Sequence, residues 1–82
     1  MNPREMSIDQ VLSYLRGATQ EELLDLEEKT ITELLTAYLR HYDTPFNYVP
    51  ANGGTRLRCL DQSRVPERFR FLFDGRGVLT GW

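Results

Sequence analysis

The stretch from Thr19 to Tyr42 constrains the fold most, because it concentrates aliphatic side chains at helical spacing. Ile31, Leu34, Leu35, Tyr38, Leu39 and Tyr42 recur three and four residues apart, which places them on one stripe of an α-helix. A single straight helix from Gln20 to Tyr42 fails on one residue. At about 100° per residue, Glu27 falls near the middle of the arc formed by Leu23, Leu24, Ile31, Leu34 and Tyr38. An unpaired carboxylate buried there is costly, so the helix must break or supply a basic partner. Thr30 followed by Glu33 has capping-box spacing, in which each side chain satisfies a backbone N–H of the other residue. The spacing therefore predicts two helices, roughly 20–28 and 31–42, with one kinked helix as the alternative, and the rest of the chain packed on the stripe.

The same signals recur upstream. Ser7 with Gln10 and Thr19 with Glu22 are capping boxes, and Ile8, Val11, Leu12 and Leu15 follow the first at helical spacing. Gly17 is a natural stop, since glycine accepts the left-handed conformation at a helix end.

Beyond Tyr42 the pattern changes. Asp43-Thr44-Pro45 ends the helix, because the residue before a proline is biased away from helical dihedrals. Phe46 to Val49 reads as a short strand and Pro50-Ala51-Asn52-Gly53-Gly54 as a loop. Thr55 to Leu60 alternates Arg56, Arg58 and Leu60 with Leu57 and Cys59, which is strand periodicity. Arg68–Phe73 and Val78–Trp82 flank the turn-forming Asp74-Gly75-Arg76-Gly77 and read as a hairpin. Pairing Phe73 with Val78 sets Phe71 opposite Thr80 and Phe69 opposite Trp82, an aromatic cluster on one face. The expected fold is α+β: two or three N-terminal helices packed on a small C-terminal antiparallel sheet of three to four strands. It forms a single domain over residues 1–82, helical over 7–42 and β-rich over 46–82.

A chain of 82 residues has room for one core. Its apolar runs stay well below the roughly 18 residues that span a bilayer, and Met1-Asn2-Pro3-Arg4-Glu5 does not open a signal peptide. Cys59 is the single cysteine, so no intramolecular disulfide forms; a reducing, cytoplasmic setting is expected. Net charge is −2, but its distribution is uneven. Residues 1–43 hold nine acidic and four basic side chains, whereas residues 44–82 hold three acidic and six basic, all arginine. The fold thus acquires two electrostatic faces.

Catalytic signatures are missing. Cys59 and His41 are the only soft or near-neutral titrating groups, a pair that could in principle act as nucleophile and base, but no third group is arranged to orient the histidine. No ligand pair has zinc-site spacing, and the glycine clusters lack the lysine and spacing of a P-loop. No enzyme activity, metal or cofactor is expected. Binding groups are easier to find. Arg56 with Arg58 and Arg68 with Arg70 sit at i and i+2, so adjacent strands would gather four guanidinium groups in one patch. Such forks suit phosphates and carboxylates and are enriched at protein interfaces. Phe46 and Tyr48 offer aromatic anchors beside the prolines. Glu21, Glu22, Asp25 and Glu28 offer an acidic docking surface for a basic partner.

Small size, segregated charge and missing catalytic groups together resemble, in composition, the small phage-encoded inhibitors of host machinery, anti-CRISPR proteins among them. That resemblance implies a non-enzymatic, protein-binding regulator or inhibitor, encoded by a phage or mobile element and acting on a CRISPR or other defence complex. Its partner is a protein, with no membrane involved and homodimer formation compatible with the sequence. The second reading is a winged-helix nucleic-acid-binding transcriptional regulator. Thr19-Gln20-Glu21-Glu22-Leu23, a turn at Glu28 to Thr30 and a helix from Ile31 are similar to the second and third helices of a helix-turn-helix, with the last hairpin as wing and Arg76 at its tip. The turn carries Glu28-Lys29 where glycine and an apolar residue are usual. The reading helix would present Thr32, Glu33 and Thr36, with Arg40 only at its end. Phosphate contacts dominate nucleic-acid affinity, so this reading ranks second.

Overall fold

The computed structural model describes residues 2–51 and 53–80. Its contacts cluster into two compact units, Met1–Tyr42 and Asp43–Gly81. The class is α+β, helices first and an antiparallel sheet after them.

The first unit holds a short 3-10 helix, Pro3–Glu5, followed by α1 (Ile8–Gly17), α2 (Gln20–Leu24) and α3 (Glu28–His41). Both expected capping boxes form. The Ser7 hydroxyl accepts from the Gln10 N–H at 3.2 Å while Gln10 Oε1 accepts from the Ser7 N–H at 2.8 Å. Thr19 and Glu22 do the same, at 3.1 Å in both directions. Gly17 is the last residue of α1, but its φ is not positive; the helix stops because Ala18 turns extended ahead of the next cap.

The break that Glu27 demands occurs at Glu27 itself. This residue is extended (φ −65°, ψ 147°) and caps α3 through its carbonyl, which accepts from the Ile31 N–H at 3.0 Å. Its carboxylate is exposed. Thr30 therefore lies inside α3 and is not its cap, three residues from the expected start. Starting at Glu27 frees the carboxylate and adds a turn of backbone hydrogen bonds that a start at Thr30 would forgo. Glu33, released from capping, pairs with Arg4 Nε at 2.9 Å. α1 packs on α3. Val11, Leu12, Leu15, Leu23, Ile31, Leu34, Leu35 and Leu39 are buried, while Leu24 and Tyr42 emerge at the ends of the expected stripe.

In the second unit, β1 (Phe46–Ala51) pairs antiparallel with β2 (Gly54–Cys59), Phe46 opposite Cys59 and Ala51 opposite Gly54. The strands run further into the expected loop than its composition suggests, leaving only residues 52 and 53 between them. Asn52 lies outside the described residues. Gly53, at φ 77°, takes the left-handed conformation that the sequence assigns to this turn.

The terminal hairpin is the main departure. Glu67–Leu72 is a 3-10 helix where a strand was expected. Pro66 fixes its start, and at a period of three Phe69 and Leu72 share the buried side while Arg68, Arg70 and Phe71 are exposed. Alternation would have put three phenylalanines on one face; the 3-10 turn buries Phe69 with Leu72 and leaves Phe71 outside. The expected partnership of Phe69 with Trp82 lies outside the described residues, as do Gly81 and Trp82 themselves. Phe73 bridges Leu79, one residue beyond the expected Val78.

Val78 bridges Arg58 instead, so the segment after the turn lies against β2. Its bonds are Cys59 N–H to the Gly77 carbonyl and Leu79 N–H to the Leu57 carbonyl, both at 2.8 Å. Among the described residues the sheet is thus two strands extended by two isolated bridges, not three or four strands. Because Leu57 and Cys59 bond toward this segment, Arg56 and Arg58 bond toward β1. The backbone groups of Phe46, Tyr48 and Pro50 then face the outer edge of β1, which pairs with no other strand among the described residues. Leu57, Cys59, Val65, Phe69, Leu72, Phe73 and Leu79 are the buried apolar residues of this unit.

Candidate functional site

Strand alternation in β2 puts Arg56 and Arg58 on the face opposite buried Leu57 and Cys59, as the sequence predicts. A third guanidinium joins them from the turn. Arg76, Arg56 and Arg58 line one hollow of about 350 Å³ on the second unit. Val49, Pro50, Ala51 and Val78 supply its apolar lining, and Asp74 and Thr80 complete it.

The turn is built to hold Arg76 there. Asp74 Oδ1 accepts from the Arg76 N–H at 2.8 Å and from the Val78 N–H at 3.0 Å. The Asp74 carbonyl accepts from the Gly77 N–H at 3.0 Å, and Gln62 Nε2 donates to the Gly75 carbonyl at 3.2 Å. The Val78 and Arg76 N–H groups hold the Asp74 carboxyl below the ordinary aspartate value, with the Arg76 and Arg58 guanidinium charges adding to the effect. Gly77 closes the turn at φ 84°, and a Cβ there would collide with the Cys59 carbonyl oxygen.

Main-chain carbonyls anchor two of the arginines. Arg58 Nε donates to the Arg76 carbonyl at 3.0 Å, and Arg56 Nη1 donates to the Leu79 carbonyl at 3.3 Å. A carbonyl orients a guanidinium without cancelling its charge. Asp74, the carboxylate among the described residues of the lining, is 3.9 Å from Arg76 Nη2 through Oδ2. The described lining therefore brings three guanidinium groups and one carboxylate together beside an apolar wall.

The remaining predicted residues are dispersed. Arg68 and Arg70 sit on the 3-10 helix, so the adjacent strands that would merge four arginines do not form. Arg68 lies 4.7 Å from the centroid of the Phe69 ring, and Arg70 Nε donates to the Val65 carbonyl at 3.3 Å. Phe46 and Tyr48 are on β1 with ring centroids 6.2 Å apart, edge to face; Phe46 is half-buried and Tyr48 exposed. Glu21, Glu22 and Asp25 are exposed on and just after α2, with Glu22 already bound to the Thr19 N–H. Glu28 opens α3 and is half-buried. These four carboxylates belong to the helical unit and Arg56, Arg58, Arg68 and Arg70 to the other.

Arg76, placed by the sequence only at the tip of a possible wing, is the residue missing from the expected arginine patch. Its signal was the turn sequence itself, read as joining 68–73 to 78–82 when the returning segment pairs with β2. The remaining reactive groups are spoken for. Burial pushes the Cys59 thiol up, and Cys59 Sγ donates to the Asp61 carbonyl at 3.4 Å. The His41 ring sits edge-on to Tyr42 at 4.8 Å. Among the described residues, no three His, Cys, Asp or Glu side chains gather as a metal site would need, and no helix is long and apolar enough to cross a membrane. Compared with known protein families, curated proteins and solved structures, the chain finds no match, so the site is read on its own geometry.

Proposed function

We propose that this protein is a small non-enzymatic binding module that regulates or inhibits a protein partner, and that it grips an anionic segment of that partner in the hollow formed by Arg56, Arg58 and Arg76. One observation carries the reading: Arg58 is fixed by the Arg76 carbonyl, which leaves its charge available. Arginine forks held in advance lose little freedom on binding and are favoured at protein interfaces. A cytoplasmic setting, where Cys59 stays a thiol, and a host defence complex as the target class belong to the same proposal.

Nucleic acid is the competing ligand. Thr36, assigned to the reading face of a recognition helix, is buried and donates its hydroxyl to the Glu33 carbonyl at 3.0 Å. Thr32 and Glu33 are half-buried. The test compares tagged protein with Arg58→Glu in affinity capture from the native host, quantified by mass spectrometry, alongside a shift assay on labelled duplex DNA. The expected outcome is a protein retained by the parent chain, depleted at least about tenfold by the charge reversal, and no DNA shift. Identical capture by both chains, or a DNA shift with steep salt dependence, overturns the proposal.

A further inference from the structure

We infer that the hollow on the second unit takes a surface of a second copy of this chain, the exposed corner of α2 formed by Glu21, Leu24 and Asp25. This rests on the reading of the hollow as an anion site and names its occupant when no other partner is present. Helical spacing makes the corner. Glu21, Leu24 and Asp25 stand three and four residues apart, so they share one side of the turn, and all three are exposed. Leu24 is 45% exposed, a large aliphatic group left in water and flanked by two carboxylates. Local structure accounts for its neighbours: Glu22 completes the capping box with Thr19, and Leu23 is buried. It does not account for Asp25, which caps the C-terminal end of α2, where a negative charge gains nothing from the backbone dipole.

The hollow matches this corner group for group. It sets Arg58 and Arg76 beside an apolar wall of Val49, Pro50 and Val78. The wall receives a leucine, and the planar guanidinium donors receive carboxylate oxygens. At about 350 Å³ the space admits a leucine side chain with the ends of its acidic neighbours. The Arg76 carbonyl holds Arg58 Nε at 3.0 Å, so less freedom is lost on contact. The whole sequence repeats the complementarity. Nine acidic against four basic side chains leave residues 1–43 at −5, and three against six leave residues 44–82 at +3. Two copies meeting acidic half to basic half therefore attract, although each carries a net charge of −2. Each copy offers both surfaces, as a two-fold pair needs in order to use the contact twice.

The test is sedimentation equilibrium of the whole chain over a roughly hundredfold range of concentration, up to about 1 mM. The average mass is expected to rise above that of the monomer with concentration. Association should weaken at least about tenfold between about 0.05 M and about 0.5 M salt. Arg58→Glu and Asp25→Arg should each weaken it at least about tenfold, and Leu24→Ser several-fold. Arg76→Glu, on a side chain 82% exposed, repeats the first reversal at a position where folding is not at stake. Mixing gives the sharpest result. Arg58→Glu keeps the corner and Asp25→Arg keeps the hollow, so two variants that fail alone should associate with each other. A monomer mass throughout, an association unmoved by these reversals, or a mixture no stronger than its parts overturns the inference. If the chain stays monomeric while partner capture still depends on Arg58, the protein-binding reading survives alone. If it self-associates through the hollow while capture ignores Arg58, the hollow serves copies of this chain and the protein-binding reading falls.

Discussion

At Gly77 the backbone runs through φ 84° with the Cys59 carbonyl pressed against the place a Cβ would occupy. Gly53 shares the positive φ, at 77°, but an added Cβ there meets nothing within 4 Å. The two substitutions therefore separate conformational strain from collision. Gly53→Ala should cost about 1–2 kcal/mol, the ordinary penalty of a left-handed residue. Gly77→Ala adds a backbone clash at the bond between Cys59 N–H and the Gly77 carbonyl, and should exceed that by at least about 1 kcal/mol. Urea unfolding of both variants reads the difference, and equal losses would show that the turn relaxes away from β2. Sequence alone marks both glycines as turn residues, but it cannot rank them. Their ranking depends on Cys59, 18 positions away along the chain, which no local pattern records.

At the scale of elements, the capping boxes at Ser7 and Thr19 and the alternation in β2 were legible, whereas the alternation over 68–73 misled. Ser7–Gln10 and Thr19–Glu22 form both reciprocal bonds because their partners are three residues away and need no tertiary help. Thr30–Glu33 has the same spacing and forms none, since the break at Glu27 places Thr30 inside α3. Thr19→Ala should accordingly cost about 1 kcal/mol in thermal melts, and Thr30→Ala only a few tenths. A larger loss at Thr30 would move the start of α3. The segment Glu67–Leu72 shows the converse. Its alternating phenylalanines and arginines fit a strand, while Pro66, Glu67 and the three-residue step from Phe69 to Leu72 fit a helical turn. Tertiary pairing decided the matter, because Val78 and Leu79 lie against β2 as well as against Phe73. The arginine hollow was half legible for that reason. Arg56 and Arg58 follow from alternation, whereas Arg76 joins them only through that pairing.

Over the whole molecule, the sequence carries its charge asymmetry into two units with separate sets of buried side chains. Residues 1–43 are net acidic and residues 44–82 net basic, although the total is only −2. An anionic partner approaching the arginine hollow should feel this second half at long range in dilute salt. The Debye length is about 10 Å at 0.1 M and about 3 Å at 1 M, so the association rate constant should fall by about tenfold between low and high salt. Stopped-flow measurements of the captured partner would show this, with dissociation changing much less. A rate indifferent to salt would mean that the guanidinium groups play no part in approach.

Pro50 has a consequence at this same scale. The outer margin of β1 exposes main-chain groups at every second residue, and it carries no lysine or glutamate to repel another molecule. A ring nitrogen without hydrogen at Pro50 denies an incoming strand one of its three rungs. A strand added along this margin would therefore have its ladder interrupted at Pro50, which makes the edge a poorer template for association than its bare length suggests.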